Sequence, residues 1–379
     1  MITRNISLDQ MPEYQFEEIN DFRRLVFFDI ETTGFAADST YLYLIGCAYY
    51  KEDSFHLIQW FSEDYREEEQ LITAFFQFLR GYDVLLHYNG TGFDIPYLLR
   101  KCAILGLDYS FDHLLSIDIY KKISPYKKIF RLNNFKQKTI EAFLNINRKD
   151  TFSGGDLIQV YQSYLGKKNI EALRSKRNPG TIFETPSEAE ILLRQLLLHN
   201  EDDLRGLILI SPILSYVDFF EKPIRILSAG VDGKQFTINF ETIASLPVRI
   251  SFGNDLAHFT AIGTHATLTT EVYEGELKHF YDNYKDYYYL PAEDSVVHKS
   301  IAHFVDKDYR SKAKPSNCYV KKQGIFAPQY ELLFTPCFKL EYQSKLSFLE
   351  IHTDILLQEE MLEQYVKHIM QYVISSKAT

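Results

Sequence analysis

Cysteine is scarce in this chain of 379 residues: Cys47, Cys102, Cys318 and Cys337 stand apart, with no C-x-x-C pair. That spacing argues against a disulfide framework and the common zinc sites, and scattered thiols fit a reducing compartment. Long hydrophobic runs are missing as well. No run of about 18 apolar residues occurs, so no membrane-spanning helix is expected. Residues 1–20 have no apolar core of the signal-peptide kind and carry several acids, so a cytoplasmic protein is expected. Basic excess is absent too, since 41 Lys and Arg face 51 Asp and Glu for a net charge of −10. This disfavours a tight, non-specific coater of nucleic acid. Local potential and bound cations can still favour phosphate at one place on an acidic protein.

What is present is a globular composition. Hydrophobic residues make up 46%, enough for a real core in each of two domains, and charged residues at 24% exclude wholesale disorder. Residues 1–22 read as a polar lead-in arm, 23–220 as one domain and 221–379 as a second. Leu25–Ile30 is a short buried strand ending in Thr32-Thr33-Gly34. Residues 40–62 alternate and are rich in aromatic and β-branched side chains, which predicts two antiparallel strands joined at Lys51–Ser54. Leu71, Ile72, Phe75, Phe76 and Leu79 lie at helical spacing after an acidic first turn. A strand within 83–90 and a helix with Pro96 in its first turn follow. This alternation predicts an α/β domain with a mixed sheet flanked by helices. Helices are also expected over 133–146, 154–165 and 186–220, the last ended or kinked at Pro212. Beyond turn residues near 220–235 the texture becomes alternating and β-branched, predicting a mainly β second domain closed by an amphipathic helix.

Three acidic motifs carry the chemistry. Asp29-Ile30-Glu31 ends the first buried strand. Alternate residues share a face, so Asp29 and Glu31 point together while Ile30 points away. Two carboxylates within about 7 Å repel unless a cation lies between them, and hard oxygen ligands suit Mg²⁺ or Mn²⁺. The second motif, His87-Tyr88-Asn89-Gly90-Thr91-Gly92-Phe93-Asp94, links a strand to a helix. Asp94 there serves as a ligand or as a simple helix cap. The third, His199-Asn200-Glu201-Asp202-Asp203, sits inside a long apolar helix, with His199 and Asp203 one turn apart on one face.

Taken in order, these motifs resemble the DEDD, or DnaQ-like, exonuclease superfamily with its RNase H-like fold. The similarity is nearest to YprB-type RNase H-like domains, carried by "YNGTGFDIPYLLRK" and by residues 131–165, and it covers roughly 22–220. The resemblance implies metal ligands at Asp29, Glu31, Asp94 and Asp203 and two divalent ions aligning a scissile phosphate. It also implies a proton acceptor on the last helix, a Tyr four residues before the final Asp or a His five before it. His199 stands four before Asp203, the tyrosine spacing with a histidine in the slot. Asp202 is the alternative fourth ligand, at a spacing that fits neither form.

For substrate contact, residues 120–138 interleave Lys121, Lys122, Lys127, Lys128, Arg131, Lys136 and Lys138 with Tyr120, Tyr126, Phe130 and Phe135. Cations for phosphate and rings for bases suit a single strand, and a solvated connector is the plain alternative. Lys167, Lys168, Arg174, Lys176 and Arg177 form a second basic stretch. Thr32, Thr33 and Asn89 are further candidates for substrate binding, whereas His87 reads as a strand-end structural residue. The expected activity is 3′–5′ exonuclease action on single-stranded DNA or RNA. The alternatives are a structure-specific endonuclease and a non-catalytic nucleic-acid scaffold. The Tyr-rich stretch 281–289, followed by Asp294, His298 and His303, fits an aromatic β-rich packing surface plus a short helix, with a stacking platform or a second site as the bolder reading. A nucleic-acid clamp or a module that docks a protein partner is compatible with the second domain.

Overall fold

A computed structural model describes the chain except residues 10, 17–18, 150–153, 178–185, 353–355, 357 and 376–379, and the side chains of Gly154, Ser175 and Arg177. The chain divides into two compact units. One comprises 1–127 and 131–217; the other comprises 128–130 and 218–379.

The first unit is built on a six-stranded sheet. Its strands are β1 (Ile2–Leu8), β2 (Leu25–Thr32), β3 (Leu42–Lys51), β4 (Ser54–Phe61), β5 (Val84–His87) and β6 (Leu115–Asp118), in the order β1-β4-β3-β2-β5-β6. β2 runs antiparallel to β3 and parallel to β5, so the sheet is mixed, as the alternation of elements implies. Glu52 and Asp53, both at positive φ, make the two-residue turn between β3 and β4. The described helices of this unit are α1 (Glu68–Leu79), α2 (Asp94–Leu105), α3 (Ile119–Ile123), α5 (Gln137–Phe143), α6 (Gly154–Arg177) and α7 (Glu188–Leu209), while α4 (Lys127–Phe130) and α8 (Ser215–Glu221) span the division between the units.

Residues 1–22, expected as a lead-in arm, instead supply a sheet strand: β1 pairs with β4 from Ile2↔Phe61 to Leu8↔Phe55. Its inward positions are Ile2, Arg4, Ile6 and Leu8. Arg4 interrupts the apolar alternation, which hid the strand. It faces inward because its guanidinium donates to Gln59 at 3.0 Å and Glu201 at 2.8 Å.

Strand β2 has two faces with different tasks. Val26, Phe28 and Ile30 pack with Leu71, Ile72 and Phe75 of α1 and Leu98 of α2. The alternate residues, including Asp29 and Glu31, face α7. On that side Tyr43 and Phe61 pack with Tyr161 of α6 and Leu196 of α7, the Tyr43 and Tyr161 rings stacking at 4.3 Å. At Gly46 of β3, paired with Asp29, α7 comes close to the sheet. A Cβ there would lie 2.0 Å from Asn200 Oδ1 and 2.6 Å from Leu204 Cδ1.

Helix α7 begins at an N-cap Ser187, whose hydroxyl accepts from the Glu190 amide, and ends before a short turn Ser211–Leu214 containing Pro212. The second basic stretch lies within α6, though residues 178–180 at its end fall outside the described residues. Lys167 pairs with Glu188 and Lys168 with Glu63, so part of that charge is used within the unit.

The second unit is rich in β-structure, as expected. β7 (Ile224–Asp232), β8 (Gln235–Gly253) and β9 (Ala257–Glu271) form an antiparallel meander. Ser228, Ala229 and Gly230, read as turn residues, instead continue β7 because they pair with Asn239, Ile238 and Thr237. The turn falls at Gly233, with φ of 55°. β10 (Tyr273–Phe280), β14 (Tyr319–Gln329), β15 (Cys337–Phe338) and β16 (Ser347–Glu350) form a second sheet, and β11 (Tyr287–Leu290), β12 (Ser295–His298) and β13 (Ser311–Lys312) a small third one. The closing helix α9 (Glu359–Ser375) buries Tyr365, whose hydroxyl donates to the Pro328 carbonyl at 3.0 Å. Tyr287 of β11 stacks on Tyr281 at 5.0 Å, so part of the tyrosine cluster packs on itself. No described helix is long and apolar enough to cross a membrane.

Gly46→Ala is expected to destabilise the chain by roughly 1–3 kcal/mol, because the new methyl meets α7 inside a packed interface. Denaturant unfolding checks this, and an unchanged midpoint would show that α7 can shift freely.

Candidate metal centre

Burial and crowding dominate the face of β2 toward α7. Burial pushes the Asp29 carboxyl well above the usual carboxylate range, and repulsion from Asp203, Glu31 and Asp94 pushes it further. One donor opposes them: Asn200 Nδ2, at 2.9 Å from Asp29 Oδ2. Asn200 is itself held by Gln59, which donates to its Oδ1 at 3.0 Å and to the Leu197 carbonyl at 2.9 Å. The missing Cβ of Gly46 gives Asn200 this room.

Asp94 opens α2 yet does more than cap it. Its Oδ1 accepts from the Ile30 amide at 3.3 Å, reaching across to β2. Burial pushes its carboxyl up to about 7; its own amide and that of Ile30 work against the rise, while Asp118 and Asp203 add to it by repulsion.

From α7, His199 and Asp203 project together as their spacing requires. His199 Nε2 lies 3.2 Å from Asp203 Oδ2 and 3.6 Å from Glu31 Oε1. Glu31, His199 and Asp203 thus bring three ligand atoms within 4.8 Å of one another, a cluster able to hold a metal ion. Asp202 faces elsewhere: its Oδ2 accepts from the Lys149 amide at 2.9 Å.

Asp29, Ile30, Glu31, His199 and Asp203, but not Asp94, floor a pocket of about 660 Å³ that is walled by Tyr88, Asn89, Tyr120, Lys127, Phe135, Lys136, Gln137 and Lys138. The Tyr88 hydroxyl donates to the Phe135 carbonyl at 2.7 Å, and the Lys127 ammonium lies 4.8 Å from the centre of the Tyr120 ring and 5.3 Å from that of Phe135. Asn89 sits at φ of 60°, held by Asp118, which accepts from the amides of Asn89 and Thr91.

The other expected contacts do not line this pocket. The Thr32 hydroxyl donates to the Gly34 carbonyl, and the Thr33 hydroxyl accepts from the Tyr41 amide, so both brace the turn after β2. Lys128 belongs to the second unit, where its ammonium donates to the Ile374 carbonyl at 2.8 Å. Arg131 is exposed, in left-handed backbone at the end of α4. His87 is buried: its Nδ1 accepts from the Gly90 amide, leaving Nε2 to donate to Ser116, and burial pushes its pKa down to about 4 although Asp118 works against this.

Residues 26–214 match the family model described as the RNase_H superfamily. The first unit is an RNase H-like domain. The chain is also similar to stretches of proteins named DNA polymerase. The one from Bombyx mori nuclear polyhedrosis virus is 23% identical over 180 residues, 39% of this chain and 17% of that protein. The one from Thermococcus aggregans is 30% identical over 198 residues, 48% of this chain and 10% of that protein. The chain therefore matches less than a fifth of the length of these relatives. Among solved structures, the family B DNA polymerase of Pyrobaculum calidifontis overlaps 69% of this chain and 35% of its own, at 14% identity and a TM-score of 0.32, too loose a likeness to carry weight.

Several residues of the RNase H-like site carried no signal of their own. Gln59 and Asn200 read as ordinary polar residues on a strand and a helix. Asp118 ends a four-residue strand. Glu141 and Arg148 lie far from the acidic motifs in sequence, yet Arg148 donates to both carboxylate oxygens of Glu141, at 2.9 and 3.1 Å, and to Asp203 Oδ1 at 2.5 Å. Glu141 is close enough to α7 that a Cβ on Gly206 would lie 2.1 Å from its Oε1.

A carboxyl whose folded pKa exceeds its unfolded one makes the folded state bind more protons between the two values. For Asp94 that window runs from 3.8 to about 7, so its contribution is complete below the window and lost as pH rises through it. In EDTA, the thermal midpoint is expected to fall across this range, and Asp94→Asn to flatten the slope and gain on wild type above pH 7. A variant slope equal to wild type would show that Asp94 does not share the crowding.

Proposed function

We propose that the RNase H-like domain is a metal-dependent nuclease that hydrolyses phosphodiester bonds, acting as a 3′–5′ exonuclease on single-stranded DNA or RNA. The observation that carries this reading is the pocket itself, where an acidic floor of Asp29, Glu31 and Asp203 meets a wall of lysines and aromatic rings. Acids alone would repel a phosphate, and cations alone would bind without cutting.

The donor set fits divalent ions. Asp29, Glu31, Asp94 and Asp203 present hard oxygens, and the repulsion among them is the kind that a cation relieves. We assign these four as ligands for two Mg²⁺ or Mn²⁺ ions, whose chemistry would be to lower the pKa of the attacking water and stabilise the leaving 3′ oxygen. His199, 3.2 Å from Asp203, is assigned as the group that takes the water's proton. A neutral imidazole does this readily near pH 7. Tyr88, Tyr120 and Phe135 offer faces for bases, Asn89 a polar contact, and Lys127, Lys136 and Lys138 charge for phosphates. Thr32, Thr33, Lys128 and Arg131 are not assigned to the substrate, since their side chains do not line the pocket.

End-labelled single-stranded DNA and RNA, incubated with Mg²⁺ or Mn²⁺ and with EDTA, test the reading. Metal-dependent ladders receding from the 3′ end are expected, and Asp29→Ala should fall to the assay background. Internal cuts would instead indicate an endonuclease. Binding without cleavage of any substrate would indicate a scaffold.

His199→Ala is expected to lower kcat by about 10²–10⁴-fold. Full activity in both this variant and His199→Tyr would remove the histidine from the chemistry. Lys136→Ala should reduce the slope of log affinity against log salt by about 0.7 on single strands, and an unchanged slope would place that lysine off the phosphate path.

A further inference from the structure

Arg148 stands apart from the expected machinery. It does not line the pocket, and its side chain is only 11% exposed, yet it donates to Asp203 Oδ1 at 2.5 Å. It is anchored from behind by the buried Glu141, which accepts from Gln137 Nε2 at 2.9 Å. The next residue is pinned to α7 as well, the Lys149 amide donating to Asp202. The guanidinium is therefore held in place rather than loosely draped. His199 Nε2 lies against the other oxygen, Oδ2, so both oxygens of Asp203 already face protein nitrogens.

From this geometry we infer that Arg148 is a positioning residue that competes with a metal ion for Asp203 and keeps ion affinity at the Glu31 and Asp203 carboxylates low. The inference rests on the metal-nuclease reading. A cation held by those carboxylates lies one carboxylate away from a fixed guanidinium, and like charges at such distances repel. Glu141 offsets only part of this, because it meets Nη1 of the guanidinium whereas Nη2 carries the contact to Asp203. Holding one carboxylate in place for the ion is a smaller gain than the repulsion is a loss. The ion is thus retained weakly until a phosphate adds its own oxygens and negative charge at the pocket.

The test is Mn²⁺ binding to the full chain by calorimetry, without nucleic acid and therefore without turnover. Glu141→Gln combined with Arg148→Gln removes both charges of that buried pair, so Glu141 is left with no unpaired charge, while Asp203 loses its guanidinium and keeps His199; the thermal midpoint of the variant checks that it folds. This double variant is expected to bind Mn²⁺ about tenfold more tightly than wild type. Arg148→Lys keeps the charge and should stay near wild type. In cleavage assays, the Mn²⁺ concentration for half-maximal rate should fall in the double variant. Unchanged or weaker Mn²⁺ affinity in the double variant overturns the inference, as does equal tightening in Arg148→Lys, which would point to geometry rather than charge. If wild type binds Mn²⁺ and cleaves while the double variant fails to tighten, the role of Arg148 alone falls. If wild type neither binds Mn²⁺ nor cleaves, the nuclease reading falls with it.

Discussion

Carboxylates that share a low-dielectric space repel one another, and Asp29 meets that repulsion from Glu31, Asp94 and Asp203 on the face of β2 that looks toward α7. Such crowding is costly without a compensating charge, and much of the surrounding structure serves to hold it. Val26, Phe28 and Ile30 bury the opposite face of the strand against α1 and α2, so β2 cannot turn its acids away. Gly46 lets α7 approach closely enough for Asn200 to donate to Asp29. Gln59 and Arg4, from neighbouring strands, hold that arrangement from behind.

The second consequence is a division of labour between charge at the floor and charge at the wall. Asp203 is shared between His199 and Arg148, and Arg148 in turn is tied to Glu141. Lys127, by contrast, reaches the pocket wall, where its cation lies over Tyr120 and Phe135. An acidic protein can in this way present a positive rim without a basic overall composition. The net charge of −10 limits non-specific adhesion more than it limits a single recessed site.

Local patterns made much of the RNase H-like domain readable. The hairpin of β3 and β4 and the amphipathic α1 follow from side-chain periodicity and turn chemistry, which depend on near neighbours. Strand β1 was missed because Arg4 occupies an inward position whose reason, Gln59 and Glu201, lies 55 and 197 residues away. The end of β7 was misread because Gly230 stays extended only when paired with β8. Among the basic residues of that stretch, Lys127, Lys136 and Lys138 line the pocket with the rings beside them, and composition marked them only as part of one basic group. It could not tell them from Lys128 and Arg131, whose directions depend on the path of the chain through α4.

By itself the sequence determined that Asp29 and Glu31 share one side of a strand, and that His199 and Asp203 share one side of a helix. Those statements need only the periods of two and 3.6 residues that any strand and helix possess. Only the tertiary structure decided that the two sides face each other, that Asp203 rather than Asp202 turns into the pocket, and that Arg148 stands behind it. Each of those depends on where separate elements pack. That is set by contacts such as Gly46 with Asn200 and Gly206 with Glu141, which join residues far apart in the chain and leave no periodic trace in it.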